Sequence, residues 1–136
     1  MMRNKSNFLS DYRLDSAFIT SIANIATENN MNVVIKETGS NAVIAQGEEN
    51  TQVRAFEGNW YFQPETVDMG KLEITSRTYT CPYKGTCYWI DLKTSTGNVY
   101  PNIGWVYQSP KAGYEFIKNQ IGFYARPTNG TISEKV

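Results

Sequence analysis

The sequence reads as a mainly β domain of the α+β class, and three observations carry that reading. Short apolar runs rich in Val, Ile and aromatic residues recur over residues 33–125, separated by Gly, Asn, Pro or Ser. Nine Tyr, six Phe and three Trp are present, and all but Phe8, Tyr12 and Phe18 lie between Phe56 and Tyr124. Such side chains suit a pleated, half-buried surface, so sheet core is their ordinary role, with a few free to line a pocket. Helical signals longer than a single turn occur only before residue 30 and after residue 108. At 136 residues the chain is one domain by size, large enough to bury a core.

The elements follow in order. Leu14, Phe18, Ile22 and Ile25, with Ala17 and Ala26 beside them, recur at helical spacing over residues 14–28. Ser10 or Asp11 caps the start and Asn29-Asn30 offers a stop. Several β-branched residues lower the intrinsic propensity, so this helix needs a partner. Three are open: its own domain, a second copy in a homodimer through residues 14–28, or another protein.

From Asn32 onward the pattern is β, with strands expected at 33–35, 42–45, 51–56 and 60–62. Pro64 to Met69 reads as one helical turn, with Pro64 first and Gly70 ending it. Further strands are expected at 74–81, 87–92, 103–107 and 123–125, with a hairpin loop at 94–98. Ser109-Pro110 looks like a helix start, with Ser as cap and Pro at the first position, and Phe116, Ile117 and Gln120 continue it to Gly122. Residues 128–136 read as a frayed tail. The chain thus divides into a helical extension (1–30), a β-rich domain (31–127) and a tail (128–136).

Thirteen basic and thirteen acidic residues cancel. No broad electrostatic surface for nucleic acid or anionic lipid is expected, and no membrane partner. No segment approaches membrane-spanning length or resembles a secretory h-region, and two thiols without such a leader fit a reduced, cytoplasmic setting. The sequons at Asn4 and Asn129 are then coincidental. Histidine is absent, which removes the commonest general base and metal ligand. Cys81 and Cys87 form one C-x5-C pair with no second pair, so no structural zinc is expected. A disulfide closing so small a loop is sterically allowed only in a suitable turn.

Chemistry concentrates in the run Cys81-Pro82-Tyr83-Lys84-Gly85 and in the upstream segment 57–64. Pro82 fixes its own φ and holds Cys81 extended, and Gly85 permits a sharp turn after Lys84. Glu57 sits in an apolar stretch where an ionised carboxylate needs a partner. It is either a pocket acid or a structural pair with Lys84, Arg54 or a backbone amide. Lys84 is either a point charge for a phosphate or carboxylate, or a solvated turn residue. Cys81 is either a thiol activated by the lysine or a buried structural cysteine. Period-two alternation places Cys87, Trp89 and Asp91 on one face and Tyr88, Ile90 and Leu92 on the other; it also aligns Ile103, Trp105 and Tyr107.

Five motifs in order carry a family resemblance: Ile44-Ala45; Glu57-Gly58-Asn59 with Tyr61-Phe62 and Pro64; the 81–85 run; Gly104-Trp105-Val106-Tyr107 with Pro110; and Ile121-Gly122-Phe123-Tyr124. Over roughly residues 32 to 126 the chain resembles the family called domain of unknown function 427, also labelled nucleotidyltransferase-like. The resemblance implies a compact β-tent-like arrangement of two small antiparallel sheets, distantly related to B-type methionine sulfoxide reductases and the cereblon ligand-binding domain. Those relatives usually carry zinc on two C-x-x-C pairs, which are absent here, and Cys87 stands where the family has a small residue.

Nucleotidyl transfer needs carboxylate-held metal. Glu48-Glu49 is the only adjacent acidic pair, Glu65 and Asp68 are three apart, and no glycine-rich phosphate loop is present. The leading expectation is therefore a small-ligand-binding domain without established activity, with an aromatic-lined pocket between its sheets presenting Glu57, Tyr61, Cys81, Lys84, Trp105 and Tyr107. No cofactor or metal is expected. The alternatives are a nucleotide-handling enzyme, with Lys84 on phosphate and Glu57 or Glu65 on magnesium, and an interaction module using the N-terminal helix.

Overall fold

A computed structural model of the chain describes residues 31–136. The helix expected over 14–28, and any pairing of copies through it, lie outside the described residues. Nine strands follow: β1 (Asn32–Glu37), β2 (Val43–Glu48), β3 (Val53–Phe56), β4 (Asn59–Phe62), β5 (Leu72–Cys81), β6 (Gly85–Lys93), β7 (Val99–Val106), β8 (Ile121–Tyr124) and β9 (Thr131–Lys135). Every pairing between strands is antiparallel. One sheet has three strands in the order β2-β1-β9, the other six in the order β3-β4-β8-β7-β6-β5.

A single core cluster joins the sheets. Val33 and Ile35 of β1 and Ile44 of β2 meet Val53, Phe62, Ile90, Leu92, Val106, Ile121 and Phe123 of the larger sheet. Phe62 and Phe123 pack edge to face at 5.6 Å. Alternation explains the membership: Phe62 of β4 and Ile90 of β6 turn inward, while Tyr61 and Trp89 beside them turn to the opposite face.

The turn at Pro64 has the expected first residue, but it is two short 3-10 turns, Pro64–Thr66 and Met69–Lys71, so Gly70 lies inside the second rather than ending the first. Two expectations are corrected. The late helix does not form; Glu115–Ile117 makes only one 3-10 turn. Gly113 at φ 94° breaks the run, and the backbone N–H of Lys111 donates to the Lys84 carbonyl, tying the segment to the β5–β6 side of the sheet. Downstream, Asn119 N–H donates to Tyr107 O, tying the segment to the end of β7. The tail is not frayed either: β9 pairs with β1 through five residue pairs, from Val33↔Lys135 to Glu37↔Thr131.

Strand β7 starts earlier than expected and contains Pro101. The proline is accommodated because the strand bulges there: residues 101–103 oppose Asp91 alone, between the Ile90↔Gly104 and Leu92↔Tyr100 pairs. Among the described residues no helix is long and apolar enough to cross a membrane.

Candidate functional site

The space between the sheets, where the pocket was expected, is filled by the apolar core. The aromatic candidates gather instead on the outward face of the six-stranded sheet, which is built like a second core. Tyr61, Cys87, Trp105, Tyr107 and Ile117 are buried there, with Phe56, Trp89, Tyr114 and Tyr124 partly buried against them. The β7 bulge decides which residues reach it. Asn102 takes φ 58°, and the extra residues reverse the alternation, so Ile103 joins the inter-sheet core while Trp105 and Tyr107 face outward. The expected alignment of Ile103 with Trp105 is therefore corrected. Asp91 fixes this bulge: its Oδ1 accepts from the Asn102 N–H at 3.0 Å and from the Arg77 guanidinium, which also donates to Asn102 Oδ1 at 2.8 Å. Arg77 itself lies in the β5 bulge between the Ile74↔Ile90 and Thr78↔Tyr88 pairs.

Two tight turns bring the charges in. Phe56 pairs with Asn59, leaving Glu57-Gly58 as a two-residue hairpin loop with φ 54° and 76°. This is the doubly left-handed geometry that matches sheet twist. Among the described residues the other non-glycine positions with positive φ are Asn41, Asn50, Asn102 and Asn119, so Glu57 is the residue type least suited to its backbone. The second turn, Pro82-Tyr83-Lys84, closes the β5–β6 hairpin, and Gly85 at φ 105° follows it. Lys84 Nζ meets Glu57 Oε1 at 2.6 Å, with the lysine side chain 13% exposed and the glutamate 49%. Burial lowers the Lys84 pKa, but the Glu57 hydrogen bond and charge outweigh it, so the ammonium is held above its ordinary range.

Trp105 is the hub of the aromatic groups. Its Nε1–H donates to Tyr61 Oη at 3.0 Å, and its ring lies 4.9 Å from Tyr124, 6.0 Å from Tyr61 and 6.3 Å from Trp89, all in edge contacts. These side chains, with Tyr79, Tyr107 and the Glu57–Lys84 pair, wall an open cleft of about 150 Å³. Lys84 Nζ stands 5.9 Å from the Tyr107 ring centre. Burial pushes the hydroxyls of Tyr61 and Tyr107 up, so both remain proton donors at neutral pH. With Trp105 already donating to it, Tyr61 Oη has its own proton left to offer.

The structure thus gathers Glu57, Tyr61, Lys84, Trp105 and Tyr107 around one cleft, and Cys81 is not among the lining residues. Cys81 Sγ instead accepts from the Lys84 backbone N–H at 3.4 Å, helping to shape the turn, and that bond lowers its thiol pKa. Both cysteines are buried and free. The register forbids their union, because Cys81 pairs with Gly85 and Cys87 with Tyr79. Cys87 lines the cleft, and burial raises its thiol. Tyr79, Trp89 and Tyr124 also line it and were not singled out in the sequence. Their signal was the Trp89 face parity and the Gly122-Phe123-Tyr124 motif, but cleft membership depended on the strand order. Among the described residues no group of three His, Cys, Asp or Glu side chains gathers that could hold a metal ion.

A family model described as a domain of unknown function (DUF427) matches residues 25–134. No curated protein matches the chain.

Proposed function

The chain belongs to the family described as a domain of unknown function (DUF427), and we propose that its outward aromatic cleft binds a small planar ligand. The observation that carries this is Trp105, ringed by Tyr61, Trp89 and Tyr124 beside the Glu57–Lys84 pair. Aromatic walls with a few convergent polar groups are the usual construction of a small-molecule site. The rings supply stacking area, and Lys84 and Tyr61 supply donors to an acceptor atom on the ligand edge. We read the two-sheet arrangement as β-tent-like, a fold analogy that adds nothing to the identity of the ligand.

The nucleotide-handling alternative has less support. It needs Glu57 or Glu65 as a metal ligand, but Glu57 is engaged by Lys84 and no set of three candidate metal ligands forms around either among the described residues.

Tryptophan fluorescence titration tests the binding reading. A ring-bearing metabolite should quench the wild-type signal and that of Lys93→Ala, and its binding should be lost in Trp89→Ala, measured by calorimetry to avoid the missing fluorophore. Equal binding by Trp89→Ala contradicts the cleft as the site.

A further inference from the structure

The aromatic cleft has a second compartment behind Tyr124. That side chain also lines a neighbouring groove of about 570 Å³, formed with Asn102, Arg126, Thr128 and Asn129. Arg126 packs on the same ring: its guanidinium carbon is 4.5 Å from the Tyr124 ring centre, and Tyr124 is 4.9 Å from Trp105. The charges of the region are unequal in a useful way. Lys84 is matched by Glu57 and Arg77 by Asp91, whereas no carboxylate among the described residues pairs with Arg126. A guanidinium in cation–π contact with a ring and not paired to a carboxylate keeps N–H donors for a planar anion, and its fork matches carboxylate or phosphate. Arg54 lines a different groove that shares Tyr61 with the cleft, but Tyr61 is only 2% exposed, whereas Tyr124 is half-buried.

Resting on the cleft reading, we infer that the ligand is a planar ring bearing an anionic substituent, the ring beside Trp105 and Tyr124 and the carboxylate or phosphate on Arg126. The substituent passes the edge of Tyr124 from one compartment to the other. Arg126 is exposed, so salt weakens its contribution.

Calorimetry with two matched pairs tests this: indole against indole-3-propionate, and adenosine against adenosine 5′-monophosphate, at fixed low ionic strength. The anionic member of at least one pair should bind about tenfold tighter, as expected for a charge-assisted hydrogen bond. The pair that shows the preference distinguishes carboxylate from phosphate. Arg126→Ala should abolish the preference while leaving the neutral member's affinity unchanged, and Arg54→Ala should preserve it. Neutral and anionic members binding equally, or a preference that survives Arg126→Ala, overturns the inference and leaves the cleft intact. Silence from all four probes removes the cleft reading itself and this inference with it.

Discussion

Gly122 lies directly under the indole of Trp105, its cross-strand partner: a Cβ at residue 122 would stand 2.5 Å from both Nε1 and Cε2 of that ring. The indole thus occupies the space a side chain would take, which sets its tilt and lets Nε1 reach Tyr61. Gly122→Ala should displace the ring and cost about 1–3 kcal/mol, the usual range for overpacking. Chemical denaturation reads the loss, and a changed near-ultraviolet circular dichroism signal reads the moved indole. An alanine variant with unaltered stability and spectrum contradicts this packing.

Glu57 should show the opposite behaviour. A non-glycine, non-asparagine residue at φ 54° costs about 1–2 kcal/mol, and its ion pair, half-exposed on the carboxylate side although Lys84 is largely covered, returns about 1 kcal/mol. Glu57→Asn should therefore stabilise the domain by about 0.5–1 kcal/mol in urea titrations while weakening ligand binding. Such a residue points to retention for a task other than stability. A variant destabilised by more than about 1 kcal/mol contradicts that account.

Much of this was readable in the chain, because period-two alternation is local. The inward Phe62 and Ile90 and the outward Tyr61 and Trp89 follow from it directly. What failed depended on partners distant in sequence. Ser109-Pro110 carries a sound helix start, yet Lys111 bonds to the 82–84 turn instead. Thr131–Lys135 has a single apolar residue, Ile132, and becomes a strand only because β1 offers it an edge. The early start of β7 was missed because Pro101 sits in a strand only where a distant partner leaves a bulge for it. That bulge also sent Ile103 inward, which spacing alone could not reveal. Five cleft residues were legible as polar or aromatic groups in a dense aromatic field; Tyr79 and Tyr124 were not, because their place in the cleft depends on the cross-strand register that sets them beside Cys87 and Trp105.

Asp91 holds that bulge, and Asp91→Ala should expose its importance. The substitution leaves the Asn102 N–H and the Arg77 guanidinium without their acceptor, costing about 1–3 kcal/mol. Amide exchange at residues 100–104 should accelerate more than in β1. Uniform acceleration across both sheets would contradict a local role.

Stability should fall in alkali, and the cleft should be responsible. Tyr61, Tyr107, Cys87 and Lys84 all have folded pKa values above their ordinary 10.0, 10.0, 9.0 and 10.5. Each keeps its proton when folded at a pH where the unfolded chain releases it, so stability declines as pH rises. The full contribution is present below about pH 9 and is lost progressively above it. Cys81, lowered from 9.0, works in the other direction and offsets part of the decline. Tyr107→Phe should flatten the fall in melting temperature between about pH 9 and 11. Parallel curves for the two proteins contradict this assignment.

The central claim is that the Trp105 cleft binds a small planar ligand. A thermal-shift screen of nucleotides and ring-bearing metabolites tests it most directly, run on wild type, Lys93→Ala, Trp105→Ala and Trp89→Ala, each first shown to be folded. A ligand at a hundred times its dissociation constant should add about 2.7 kcal/mol, on the order of 5 to 15 °C for a domain of this size. The account predicts such a shift in wild type and Lys93→Ala that disappears in the folded tryptophan variants. A shift that persists in both tryptophan variants, or silence across the whole panel, contradicts it.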